Sequence, residues 1–375
     1  MSVLLAAERV VTPQAVLAPG WVLVDGSVVA EVGPGAPPRP PDLDLPAATL
    51  VPGYVDAHVH GGGGASFDPG DPVTAAEVAR CHLAAGTTTM VASLVTDEAR
   101  GLRRSVAALV PLAADGVLAG IHLEGPWLST SYAGAHRRDL LCQPSPAEVD
   151  GLLEAAQGHL RVVTLAPELP GGLDAVRRLS GAGVTVAVGH TDATYAETWA
   201  ALDAGATAGT HLFNAMRGLH HREPGPVAAL LEHPDAFVEL IADGVHLHPA
   251  VLALAAGRKP QHTVLVTDAM AAAGAGDGDY RLGSMDVRVR DGVARLAQGG
   301  AIAGSTLTMA AAVRFAVHAA GVSLADAVHA ATAAPAAQLG LSGVGSLAPG
   351  HRADLLVLDA DLAVQRVMRH GRWLP

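Results

Sequence analysis

The residues best able to do chemistry begin at Val51-Pro-Gly-Tyr-Val-Asp-Ala-His-Val-His-Gly61. This run reads as a buried strand that ends in two histidines and passes into glycines. A strand repeats its side-chain direction every two residues, so His58 and His60 face the same way. Two imidazoles at one strand end can grip a metal ion. Other strand-like runs end in comparable residues. Glu124 closes residues 116–124, His190 closes 184–190, and His211 stands near the end of 208–212. Asp243-Gly-Val-His246 follows 237–241, and Asp268 closes 263–268. Packing alone does not call for metal-binding or acid–base types at so many strand ends.

Glu124, His190 and His211 supply one carboxylate and two imidazoles. Such a set holds a borderline divalent metal such as zinc, with iron, manganese or cobalt as alternatives, and leaves a position open for water. His58 and His60 can hold a second ion, so one or two ions per chain are expected. Lys259 is the only lysine and lies ahead of the last strand, away from the strand ends. A carboxylated lysine is therefore not expected as a bridge, and Glu124 takes that place. Asp268 suits a general base that takes a proton from water and returns it to a leaving amine. It also suits a second-metal ligand, and the two roles are compatible. His246 can polarise a carbonyl or stabilise an oxyanion. His220, His221 and His248 are weaker cases for the site and read first as solvated loop histidines. His122 lies one layer below Glu124 and is expected to be buried and hydrogen-bonded. The stretch His211-Leu-Phe-Asn-Ala-Met-Arg217, followed by Arg222-Glu-Pro-Gly225, offers small residues, exposed N–H groups and arginine, which suit a phosphate.

These residues need a scaffold that gathers strand ends. From residue 51 the chain alternates strand-like and helix-like runs, with eight strands in all. That rhythm predicts an α/β fold, a (β/α)8 TIM-like barrel, whose active site lies at the carboxyl ends of the strands. Short β runs before residue 50 and after 343 predict a small flanking β-sandwich built from both chain ends. The expected division is residues 1–50 and 343–375 for the sandwich and 51–342 for the barrel. Asp25-Gly26 marks a hairpin turn, the Pro-rich stretch 34–46 a connector, and residues 279–297 an inserted hairpin. Ser145-Pro-Ala-Glu148 opens a helix with a serine cap.

Composition narrows the class. The chain has 375 residues, half of them hydrophobic but only 3% aromatic, so the core must be mainly Ala, Val and Leu. A formal net charge of −12 argues against nucleic acid as a partner while leaving room for a small anion. Two cysteines, Cys81 and Cys142, suit a reducing cytoplasm. The opening residues lack the pattern of a signal peptide, and no apolar run is long enough to predict a membrane span.

Several motifs resemble the N-acetylglucosamine-6-phosphate deacetylase family of the amidohydrolase superfamily. They are Pro52-Gly-Tyr-Val-Asp-Ala-His-Val-His-Gly61, His122-Leu-Glu-Gly-Pro-Trp127, Gly189-His190, Thr210-His-Leu-Phe-Asn-Ala-Met216, Arg222-Glu-Pro-Gly225, Ala242-Asp-Gly-Val-His246 and Val266-Thr-Asp-Ala269. The Leu-Phe-Asn-Ala-Met and Arg-Glu-Pro-Gly pair is more specific than His-x-His, which the whole superfamily shares. The resemblance implies hydrolysis of an acetamide on a small phosphorylated amino sugar, in amino-sugar catabolism and cell-wall sugar recycling, by a homodimer. It assigns Glu124, His190 and His211 to the metal, Asp268 to the base and His246 to the carbonyl. It also assigns Asn214, Ala215 and Arg222 to the phosphate, the arginine reaching across from a partner subunit, and His136 to the sugar. Two other readings are an amidohydrolase acting on a cyclic amide or nucleobase, and a non-catalytic relative that binds phosphosugars.

Overall fold

In the computed structural model, which describes residues 2–375, eight parallel strands lie side by side in chain order. They are Tyr54–Asp56, Thr87–Leu94, Gly120–Glu124, Leu160–Leu165, Thr185–Val188, Ala208–Gly209, Phe237–Ile241 and Thr263–Val266. Val, Leu, Ala and Thr dominate these runs, and almost every residue in them is buried. Strands covered on both faces read as continuous apolar runs rather than alternating ones. The first and last strands meet at the upper rim. There Asp268 N–H donates to the His58 carbonyl and His60 N–H to that of Ala269, both at 2.8 Å. The Thr267 hydroxyl donates to buried Asp56 Oδ2 at 2.6 Å. These bonds close the sheet into the expected barrel. Helices after the strands cover the outside, among them Pro146–Ala156, whose cap Ser145 accepts from Glu148 N–H as its sequence predicts.

The chain ends build a second sheet of eight strands, running from Ser2–Val11 to Arg372–Trp373. It curls round a core of its own that includes Leu5, Val22, Val24, Leu50, Leu355 and Met368. Val29 N–H donates to the His351 carbonyl and Ala353 N–H to that of Ser27, both at 2.8 Å, so one edge of the sheet approaches the segment that leads into its last strands.

Two expectations are corrected here. The stretch 34–46 is not a connector throughout, and the first barrel strand does not start at Val51. A strand Leu43–Pro52 belongs to the chain-end sheet, because Ser2–Val11 and Leu355–Leu358 pair with its two sides. Gly53 is the step between sheets. A Cβ there would lie 2.3 Å from Thr88 Oγ1, so only glycine fits. The expected hairpin at 279–297 is instead a three-stranded sheet, Gly278–Leu282, Met285–Arg290 and Val293–Leu296. An Asp-Gly pair inside the insert, Asp291-Gly292, makes the extra turn with both residues at positive φ. This insert folds over the open end of the barrel and carries Leu282 to the site.

Candidate active site

The strand ends converge at the carboxyl end of the barrel. His58 and His60 follow the first strand in extended backbone, and their Nε2 atoms lie 3.0 Å apart. Glu124 ends the third strand and stands between two groups of imidazoles. Its Oε1 lies 3.1 Å from His190 Nε2 and 3.0 Å from His211 Nε2. Its Oε2 lies 3.2 Å from His60 Nε2 and 3.3 Å from His136 Nε2. Asp268 Oδ1 closes the group at 3.3 Å from His60 and 3.6 Å from His58. Two sets of possible ligands result, His58–His60–Asp268 and Glu124–His190–His211, both buried.

The backbone aims these side chains at a cost. His190, His211 and Asp268 all have positive φ, at 48°, 29° and 48°. Such conformations cost non-glycine residues on the order of 1–3 kcal/mol each and cluster at functional sites. Neighbours hold them. Ser129 N–H donates to the His190 carbonyl at 2.8 Å, and His190 Nδ1 lies 2.8 Å from the Tyr132 carbonyl. A carbonyl only accepts, so His190 carries its proton on Nδ1. Its bare Nε2 then faces the carboxylate oxygen of Glu124, acceptor against acceptor. A cation between them satisfies both, and the one-carboxylate, two-imidazole set fits a divalent metal.

Charge balance points the same way. Burial opposes a charge on His58, yet Glu124 and Asp268 outweigh it and lift its pKa well above the ordinary imidazole value. Burial likewise opposes the Glu124 charge, but His58, with His136 and His211, outweighs it and holds the carboxyl well below its usual range. Without an ion, protons on the imidazoles supply the positive charge that the two carboxylates require, and a bound cation would take their place.

His246 stands apart from these sets. Its Nδ1 lies 2.7 Å from Asp243 Oδ2, which leaves Nε2 as its free ring nitrogen. Burial disfavours its cation, but the Asp243 contact wins and raises the pKa. His136 is anchored by Thr96 Oγ1 at 2.9 Å from its Nδ1. Burial lowers its pKa against the pull of Glu124.

A cavity of about 340 Å³ sits over this floor. His60, Glu124, His136, His190, His211, Asn214, Ala215, His246 and Asp268 line it, with Leu282 and Ile302 forming an apolar wall. Arg222 does not line it. That side chain is exposed and lies 2.7 Å from His221 Nε2. Among the described residues, no lysine or arginine lines the cavity. His220 and His221 are exposed, and His248 caps the helix Pro249–Arg258. His122 is fully buried between Ser93 and Thr164, as expected. Lys259 bonds backbone carbonyls at residues 233 and 234, far from the strand ends in sequence and in contacts.

Sequence reasoning missed the insert wall, because a hydrophobic residue in a hairpin carries no chemical signature. It also missed Glu239, buried inside the seventh strand with Oε2 at 3.3 Å from His58 Nδ1. There a signal existed: a carboxylate in the middle of the apolar run Phe237-Val-Glu-Leu-Ile241.

A barrel with its ligating residues at the strand ends defines a class of metal-dependent hydrolase, and the family model "Amidohydrolase family" matches residues 49–374. The chain belongs to the amidohydrolase family. More particularly, it is 41% identical to the N-acetylgalactosamine-6-phosphate deacetylase of Escherichia coli O157:H7, over 99% of each chain. It is 37% identical to the N-acetylglucosamine-6-phosphate deacetylase of Vibrio furnissii, over 88% of this chain and 84% of that one. A variant of the N-acetyl-D-glucosamine-6-phosphate deacetylase of Mycobacterium smegmatis, solved with N-acetyl-D-glucosamine-6-phosphate, superimposes with a TM-score of 0.97 at 49% identity over 99% of both chains.

Proposed function

We infer that the protein hydrolyses the acetamide of N-acetyl-D-glucosamine 6-phosphate to D-glucosamine 6-phosphate and acetate, in amino-sugar catabolism and cell-wall sugar recycling. The observation that carries this reading is the convergence of Glu124, Asp268 and four strand-end histidines beneath one cavity, with His246 presented from beside it. The likeness to the M. smegmatis structure supports the substrate.

Glu124, His190 and His211 would hold one ion, and His58, His60 and Asp268 a second; zinc suits both sets best. A bound ion would supply Lewis-acid polarisation and make a contacting water more acidic. The side chains do the rest. The cavity orients the acetamide with its oxygen toward His246. Asp268 takes a proton as the water oxygen bonds the carbonyl carbon. The carbonyl oxygen gains the negative charge, which His246 stabilises through Nε2. Asp268 then passes the proton to the nitrogen at C2, the C–N bond breaks, and acetate and the free amine result.

His136 would contact the sugar, and Asn214 with the backbone at Ala215 the phosphate. A phosphate dianion is best held with a cation beside it, and among the described residues no lysine or arginine lines the cavity. Arg222 of a partner subunit fills that gap, so the working form is a homodimer. The proposed flanking unit is residues 1–50 and 343–375, extended by Val51 and Pro52, which complete its strand, and the catalytic unit runs from Gly53 to residue 342. Residence in the cytoplasm fits the two free cysteines, and among the described residues no helix is long and apolar enough to cross a membrane.

The E. coli O157:H7 relative favours a second reading, the galacto epimer. Acetate release from both 6-phosphates and from unphosphorylated N-acetylglucosamine separates the possibilities. Fast release only from the gluco 6-phosphate is expected. Preference for the galacto epimer would change the substrate, and equal rates with and without phosphate would remove the phosphate site. No release from any metal-loaded sample would return the cyclic-amide and non-catalytic readings.

A further inference from the structure

Glu239 and Asp56 are buried carboxylates of the barrel interior that the mechanism leaves unused; Asp56 accepts the His58 backbone N–H at 3.2 Å, whereas Glu239 meets the His58 ring itself. Glu239 is fully buried on the seventh strand. Burying a carboxylate is costly unless its oxygens are bonded. Here its oxygens face nitrogen donors. Gln338 Nε2–H donates to Oε1 at 2.7 Å. The His211 backbone N–H donates to Oε2 at 3.4 Å, and His58 Nδ1 lies 3.3 Å from the same oxygen. Gln338 comes from the helix Ala333–Gln338, and its own carbonyl accepts the Thr185 hydroxyl at 2.7 Å. The column Gln338–Glu239–His58 thus runs through the barrel interior to the site. By contrast, Nδ1 of His60 and of His211 has no partner.

We propose that Glu239, held by Gln338, is a positioning residue that keeps the proton of His58 on Nδ1 and so presents a bare Nε2 as a ligand for a second metal ion. The proposal rests on the two-ion reading of the site and goes beyond it, because it assigns the second ion's retention to a residue that does not touch it. The reason is that a carboxylate accepts hydrogen bonds and cannot donate one. Facing Glu239, the His58 imidazole places its hydrogen on Nδ1, and Nε2 is left to meet His60 Nε2 at 3.0 Å and Asp268 Oδ1 at 3.6 Å. A carboxylate behind a ligating histidine fixes the ring and strengthens the ligand, and its loss typically lowers metal affinity about 10–100-fold.

Zinc content across a series of buffered free-zinc concentrations, for wild type and Glu239→Leu, which removes the acceptor facing His58 Nδ1, tests this. Wild type should take two ions per chain. The variant should still take a first ion, with the larger loss falling on the second, which it should bind about 10–100-fold more weakly. Equal second-ion affinity in the two proteins overturns this proposal alone. A wild-type protein that saturates with one ion overturns both the proposal and the two-ion reading. Nitrogen NMR of histidine-labelled, zinc-loaded wild type decides the matter even where the variant does not fold. A proton on His58 Nδ1 is the expected signature, and one on Nε2 overturns the assignment.

Discussion

Asp268 shows how one side chain can serve two purposes. It lies within 3.6 Å of both His58 and His60, and it lines the cavity. Burial raises its pKa, but His58 and His60 outweigh that and lower it, so the side chain is ionised and has carboxylate oxygens to accept a proton. Asp268→Asn keeps the volume and removes the base. It should fold and retain an ion at Glu124, His190 and His211 while kcat falls about 10²–10⁴-fold. Turnover within a few-fold of wild type would take the base role away from Asp268. His246 gives a pH prediction. Burial lowers its pKa and the Asp243 contact more than restores it, so the protonated form persists to higher pH than for a free imidazole. If that form polarises the carbonyl, kcat/KM declines as pH rises through the raised value. Asp243→Asn removes the carboxylate, lowers the His246 pKa, and should move this alkaline limb to lower pH. A limb that stays in place, measured as kcat/KM against pH, would show that another group sets it.

The insert acts as an element rather than through any one reactive group. Asp68 fastens it to the barrel. Its Oδ2 accepts Gly283 N–H at 2.9 Å and the Ser66 hydroxyl at 2.8 Å, and its Oδ1 accepts Val95 N–H at 3.0 Å. Leu282, next to Gly283, is part of the cavity wall. Asp68→Ala leaves the Gly283 and Val95 N–H groups without that acceptor, a loss of about 1–3 kcal/mol. The expected result is faster amide exchange at Gly283 and a higher KM, with kcat less affected, since no reacting group moves. Unchanged exchange and KM would mean that the insert is held mainly by its own core of Leu282, Val287, Val289 and Leu296.

At the level of the whole molecule, ion binding and assembly should both be visible. A chelator should abolish activity and lower Tm. Added zinc should restore both, with Tm rising as free zinc rises, because an ion that binds only the folded chain stabilises it by mass action. A Tm indifferent to zinc would argue against a buried ion. Assembly can be read by complementation. Asp268→Asn and Arg222→Ala should each be impaired alone. Mixed after subunit exchange, they should regain activity, because one site in each hybrid has an intact Asp268 and a partner Arg222. Exchange without recovery would place the arginine's role within its own subunit or remove it.

The amino-acid sequence by itself determined the barrel, the chain-end sheet and which residues are candidates to ligate a metal. Those features rest on local patterns: apolar runs with a fixed rhythm, and His, Glu and Asp placed where each run stops. His58 and His60 were legible because a strand repeats every two residues. Tertiary structure alone decided what crosses between distant segments. The sharing of Leu43–Pro52 with the chain-end sheet depends on partners from both termini. The contact of Glu239 with His58 joins residues 181 positions apart. The placement of Leu282 over the site depends on Asp68. The exposure of Arg222 likewise follows from how its loop lies on the barrel, which no local spacing encodes. Periodicity reports which way a side chain points along its own element. What it meets there is set by closure of the barrel.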